Sequence, residues 1–395
     1  MTFFKAIVGA LAGMFLFAAP ALAGPTWEFG DENQGKLQLE YRGQFQLVYR
    51  DTGAGPDQTG SATEFVLRRD RIALMGAWGE HFSLYFQTEF FDNFAISPIG
   101  VNNGTAPLFS VLDMALRFKV VDEFHVWVGK FKYSFTRENL EDCFAPLTLD
   151  RSNFIIAPYV ATRDYGVAVW GNLLNGLLQY RVDAMTGAND AAVSPKTVLR
   201  YSGRAHVSLL DPERYYGYKG TYLGKKKVLT LGGAYQYEAG VAFSDTVNSS
   251  GTVNYQAWTV DGYFEYPVPD VGTFTASVAY VNYDLGDAYL GTSPSLGTSG
   301  IDGQKNGGYA KVGYLLPMVP LQIFGRYEQW SFAELKGFYN QRLNYFAGGV
   351  NYFFHGQDLK LTAQYSYADF DKVGLVNGVL TSDLNTLVVQ LQLIF

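Results

Sequence analysis

The sequence predicts an all-β fold: a transmembrane, antiparallel β-barrel of about 16 strands, its third long loop folded inward. Three observations carry this expectation. The chain ends on an amphipathic strand closed by an aromatic residue, it starts with an export leader, and short links alternate with long ones between amphipathic strands. In the last nine residues, Leu387, Val389, Leu391, Leu393 and Phe395 share one face while Gln390 and Gln392 share the other. Side chains alternate across a strand with period two, so this segment has one apolar and one polar face. A terminal strand ending on Phe395 is the signal expected to engage the barrel-assembly machinery.

Residues 1–23 read as a secretory signal peptide. Lys5 provides the positive start, Ala6 to Ala19 a short apolar stretch, and Ala21-Leu22-Ala23 the small-residue cleavage site. The stretch is too short for a membrane-spanning helix, and no other continuous apolar run approaches about 18 residues. Cleavage near Ala23 leaves 24–395 as a single domain, and the expected destination is the bacterial outer membrane.

The composition agrees. One of the 30 basic residues, Lys5, lies in the leader, so 29 remain against 37 acids, a net charge of −8. That balance excludes a nucleic-acid partner, which needs a basic footprint. Tyr (28), Phe (30) and Gly (43) are abundant while only 17% of residues are charged, which suits strands and turns. The single cysteine, Cys143, excludes an intramolecular disulfide and Cys-clustered metal or haem motifs, and reads as an inert loop residue. No metal or cofactor is expected.

Each strand follows from the same alternation. From Lys36 to Tyr49, Leu37, Leu39, Tyr41, Phe45, Leu47 and Tyr49 oppose Lys36, Gln38, Glu40, Arg42, Gln44 and Gln46. In a membrane barrel the apolar face meets lipid and the polar face lines the lumen. The pattern recurs near 64–78, 81–92, 110–119, 124–132, 164–172, 176–186 and 198–210. It continues near 227–238, 253–266, 272–283, 306–316, 320–331, 341–354, 358–370 and 383–395. An even number lets both chain ends lie on the periplasmic side, as in closed bacterial barrels. Short links (79–80, 121–123, 172–176, 267–271, 317–320 and 355–358) alternate with long ones (51–63, 93–109, 133–163, 187–197, 239–252, 284–305, 331–340 and 371–382). Only 211–226 breaks the rule: by position a periplasmic turn, it is long and carries Tyr215, Tyr216, Lys225 and Lys226.

Function should sit on the lumen face. Arg42, Arg69, Arg71, Arg117, Lys119, Lys130, Lys132 and Arg181 are the candidate pore-lining cations, with Arg200, Arg204 and Arg326 behind them. Basic rings favour anions. Glu40, Glu89, Asp113, Asp183 and Glu328 share those faces, so ion pairing that keeps the lumen wet and rigid competes with an anion path. Loop 133–163 is the candidate constriction, with Arg137, Glu138, Arg151 and Arg163 among Phe135, Phe144 and Phe154. An extracellular cap or a trimer contact is the other reading of this loop. Catalysis finds little support: His206 and Ser208 share a face, but Val207 and Leu209 turn that face to the lumen, where a lipid-facing hydrolase dyad has no use.

Several stretches resemble the phosphate-selective porin O and P family. These are Phe65 to Arg71 followed by Gly76, Tyr85 to Phe90, Val128 to Phe135 with Glu138, and Arg163 to Val167 through Gly171. The resemblance covers about 36–185 and implies a sixteen-stranded, trimeric channel with an inward third loop. The chain departs from the family where Tyr133-Ser134 replaces the usual Pro before Phe135, and no single strand carries a run of inward arginines. The resulting expectation is not an enzyme but a passive outer-membrane diffusion channel for small hydrophilic solutes, with anions such as phosphate as the narrower case. The alternative is a barrel scaffold docking a partner such as a secreted electron carrier.

Overall fold

The computed structural model describes residues 24–395 except 58, 91–95, 98–99, 102–108, 153, 159, 189–194, 196–197, 246–247, 287–302, 336–337 and 377–378. The expected leader, 1–23, lies outside the described residues. Sixteen long strands form one antiparallel sheet. They are β1 (Gly35–Ala54), β2 (Gly60–Trp78), β3 (Phe82–Phe90), β4 (Phe109–Val121), β5 (Phe124–Phe131), β6 (Asp164–Leu173), β7 (Leu178–Met185) and β8 (Arg200–Ser208). β9 (Val228–Ala242), β10 (Val253–Val268), β11 (Gly272–Asp284), β12 (Lys305–Leu315), β13 (Leu321–Leu335), β14 (Phe338–His355), β15 (Leu359–Val376) and β16 (Val379–Ile394) complete the set. Each pairs with the next, and β16 returns to β1 from Thr386↔Arg50 to Ile394↔Arg42, closing the barrel.

The terminal strand shows why the sheet closes in this register. Its polar face points inward, where the amides of Gln44 and Gln46 bond those of Gln392 and Gln390 at 2.8 and 2.7 Å. Its apolar face points outward with Leu387, and Phe395 seals the seam through two backbone bonds to Tyr41. A one-residue slip would put these glutamines in lipid, so the register is strongly specified. The outer face carries Phe65, Leu116, Val182, Val278 and Val312 as exposed apolar side chains, as a lipid-facing band requires.

Two features depart from simple alternation. β13–β14 and β15–β16 run on through most of the expected links 331–340 and 371–382, as far as Leu335 and Phe338, and Val376 and Val379. The backbone ladder thus continues past the points where the sequence pattern ended the strands. In β2 the register steps from Gln44↔Arg69 to Phe45↔Leu67, leaving Arg68 as an extra residue. Such a bulge turns consecutive side chains to one side, and Arg68 joins Arg69 at a shared carboxylate inside the barrel.

Candidate functional site

Loop 132–163 fills the middle of the barrel. It leaves β5, makes one turn of helix, α1 (Arg137–Leu140), whose Thr136 hydroxyl caps the Asn139 N–H at 3.1 Å, and then touches the wall on several sides. The Phe135 carbonyl accepts from Arg204 on β8, and Glu138 pairs with Lys311 on β12. The Leu147 carbonyl accepts from Asn351 on β14, the Phe144 carbonyl from Gln392 on β16, and the Cys143 carbonyl from Gln44 on β1. A segment bonded to β1, β8, β12, β14 and β16 lies across the lumen.

The long link between β8 and β9, residues 209–227, also enters the barrel. Tyr218 forms a parallel bridge with Glu141, Asp142 N–H donates to the Tyr218 carbonyl at 2.8 Å, and Gly220 N–H donates to the Ala145 carbonyl at 2.8 Å. The Tyr218 hydroxyl meets Arg181 at 2.6 Å, His206 Nδ1 at 2.8 Å and Arg204 at 3.1 Å. Glu213 receives both Arg137 Nη atoms at 2.7 and 2.8 Å in a fully buried pair. This accounts for the length of 211–226: the turn is an insert that builds the floor under the loop. Its length and its tyrosines were the sequence signal; its destination was not legible.

These contacts revise several expected roles. Arg137 and Glu138 do not face open water: Arg137 is committed to Glu213, and Glu138 to Lys311 and Arg326. Arg181 points inward but lies under the insert, bonded to Tyr218 and the Tyr215 carbonyl. Lys130 sits on the outer face, opposite exposed Met114 and Tyr165, with its amine on the Val111 carbonyl; β5 turns Trp127, Gly129 and Phe131 inward instead. Lys119 lies half-exposed at the rim, 3.9 Å from Asp122. Arg42, Arg69, Arg71 and Arg163 are lumenal but paired, with Glu40, Asp150, Glu89 and Asp113. Arg200 and Arg204 are likewise paired, with Glu238 and Asp261. Arg151 bonds the Asn139 carbonyl at 3.2 Å on the long-loop side. His206 and Ser208 are both spent on the insert, at the Tyr218 hydroxyl and the Glu213 N–H.

Between loop and insert lies a cavity of about 830 Å³, open toward the short turn His355–Asp358. Its lining holds eight basic side chains (Arg42, Arg71, Arg117, Lys132, Arg163, Lys219, Lys225 and Lys226) against three acids, Asp113, Asp142 and Asp358. Counting the partners Glu40 and Glu89 as well still leaves a cationic excess in a chain whose net charge is negative. Arg117 lies over the rings of Tyr85 and Trp127, at 4.6 and 4.1 Å. Among the described residues it makes no salt bridge, and its Nε has no partner.

Lys132 and Cys143 form the centre of this site. The amine reaches the Glu141 carbonyl at 2.5 Å and the thiol at 3.9 Å. Burial pushes the amine down to about 7, and Arg151 and Arg163 add repulsion that Cys143 and Asp142 only partly offset. Burial would raise the thiol, but Arg151, Lys132, Arg69 and Arg71 outweigh it and hold Cys143 well below its usual range. Cys143 is buried beside this amine, a placement its sequence position did not disclose. Because the folded amine titrates below its ordinary 10.5, it costs stability while charged below pH 7, and that cost fades as pH rises toward 10.5. Preference for chloride over potassium should therefore fall between about pH 6 and 8, and Lys132→Met should remove that step. Reversal potentials across a pH series check this; an unchanged step in the variant would assign it to another group.

A family model described as phosphate-selective porin O and P matches residues 39–395. No curated protein matches the chain by sequence. Among solved structures, the outer-membrane channel DcaP of Acinetobacter baumannii aligns at 15% identity and a TM-score of 0.57, covering 95% of this chain and 100% of that one. An anion-selective porin from Comamonas acidovorans aligns at 9% identity and 0.57, covering 91% and 100%. The trimer form of OmpT from Vibrio cholerae aligns at 13% identity and 0.50, covering 91% and 99%. At these identities the structures establish a shared fold.

Proposed function

The chain belongs to the phosphate-selective porin O and P family, and from that premise we propose that its barrel selects small anions by the basic vestibule beneath loop 132–163. It is an outer-membrane porin, a passive channel rather than an enzyme. The observation that carries the anion reading is the excess of eight cations over three acids in the cavity lining. Like charge excludes cations, while a shallow multi-site path lets anions leave as readily as they arrive. Arg117 and Lys132 supply the attraction, because neither has a carboxylate partner among the described residues. Arg69 and Arg71 mainly hold loop and wall through Asp150 and Glu89.

Phosphate is the solute the family's description suggests, and the trimer form of a structural neighbour supports assembly as a homotrimer. Cleavage near Ala23 and delivery through the barrel-assembly machinery by the strand ending at Phe395 complete the proposal. The test is the reversal potential of the purified protein across a potassium chloride gradient in a planar bilayer, followed by phosphate titration. Stepwise conductance with chloride preference is the expected result. Cation preference would overturn the anion reading, and a silent barrel would favour the scaffold that docks a partner.

A further inference from the structure

Resting on the anion-selective reading, the vestibule's walls name a narrower class of solute. A lumen that only passes hydrated inorganic ions is polar throughout. Here an aromatic cluster that is otherwise buried, Trp127, Phe131, Phe144, Trp170 and Tyr216, brings its edges to the cavity beside the fixed cations. Ligand pockets combine apolar walls with a few placed polar groups. Arg117 is the placed group. Its guanidinium is held over two rings, which fixes its plane, and among the described residues no carboxylate occupies its N–H edge. That edge matches a carboxylate in a bidentate fork. The Lys132 amine stands at the same cavity, bonded to the Glu141 carbonyl and 3.9 Å from the Cys143 thiol. At about 830 Å³ the space exceeds what a bare phosphate needs and lies within the range of small-molecule sites.

We propose that the vestibule is a binding subsite for small organic anions that join a carboxylate to an aromatic or bulky apolar body. The carboxylate takes the Arg117 edge and the body lies along the aromatic wall. Inorganic phosphate would meet the same cation without covering the wall, and acetate would cover too little of it.

The test uses the full chain in planar bilayers, with benzoate, cyclohexanecarboxylate, acetate or inorganic phosphate added at the short-turn side while chloride current is recorded. Benzoate and cyclohexanecarboxylate should reach half-block at concentrations at least tenfold below acetate and phosphate. Arg117→Gln, checked for folding by heat-modifiable migration, should raise the benzoate value at least fivefold. Benzoate acting no better than acetate, with chloride preference intact, would overturn the subsite and leave the anion channel standing. Tight benzoate block untouched in Arg117→Gln would overturn the assigned site. Absence of chloride preference in plain potassium chloride would remove the anion reading beneath it.

Discussion

Replacing Arg137 by Ala should release the insert from the lumen and raise single-channel conductance at least twofold, with the barrel still folded. The pair it breaks has both partners out of water: side-chain exposures are 0% and 1%, and the two bonds measure 2.7 and 2.8 Å. Arg137 also covers the rings of Tyr218 and Tyr263, at 4.3 and 4.1 Å. Breaking such a pair costs about 3–5 kcal/mol, mostly because the surviving charge is stranded. Among the described residues, the Tyr222 hydroxyl at 2.6 Å is the hydrogen bond the Glu213 carboxylate would keep. The remaining anchors of the insert, the Tyr218 hydroxyl among them, are worth about 0.5–3 kcal/mol each, so the stranded carboxylate decides the outcome. The wall does not depend on Arg137, which sits on α1 rather than in the ladder.

Glu213→Ala should act in the same direction, and the double variant should be no worse than either single, since both remove one interaction. Acid gives an independent reading. Burial would raise the Glu213 carboxyl, but Arg137 holds it down to about 2. A depressed carboxyl contributes stability above its unfolded value and loses it as pH falls through the folded one. Wild-type conductance should therefore rise as pH drops from about 4.5 toward 2, and Arg137→Ala should lose that dependence. Wild-type conductance and wild-type acid response in the variant would sink the latch.

The barrel was legible in the sequence because its period is local. Leu37 through Tyr49 and Leu387 through Phe395 alternate except at Gly43, Val48, Val388 and Ile394, and each strand pairs with its neighbour in the chain, so closure follows from counting. The site was less legible because it depends on contacts that no period encodes. Lys130 and Lys132 are two residues apart and both basic, yet one meets the outer face and the other the cavity, since β5 ends at Phe131. Arg68 reads as an outward residue until the bulge at Gln44 and Phe45 turns it inward. Link 211–226 was visibly anomalous, but only Arg137, Arg181 and Arg204, distant in sequence, say where its tyrosines and Glu213 go. Chance alternation explains one face of a strand; partner identity across a lumen needs three dimensions.

The bulge also sets the second large effect, at the long-loop side of the constriction. Asp150 sits between Arg68 Nη2 at 2.7 Å and Arg69 Nη2 at 2.8 Å, with Arg151 adjacent and Arg326 on its carbonyl at 2.7 Å. Burial would raise its carboxyl, but Arg68, Arg69 and Arg151 pull it well below the usual carboxylate range. The small cavity there is lined by Arg68, Arg151 and Arg326 with Asp150 as its single acid. Asp150→Asn keeps the shape and deletes the charge, so the chloride-to-potassium permeability ratio should rise about fivefold. Two unit charges at 4 Å interact by about 4 kcal/mol at an effective dielectric of about 20. Distance and a screening length of about 10 Å reduce this to about 1 kcal/mol for a passing ion, which is about fivefold. Arg68→Met should shift the ratio by a similar factor in the opposite direction, and the pair of substitutions should return it near wild type. Reversal potentials at low salt measure all three. Shifts of the same sign in the two single variants would mean that loop position, not charge, controls passage there. Opposite signs with cancellation would mean that one bulged residue sets the field an ion meets above the loop.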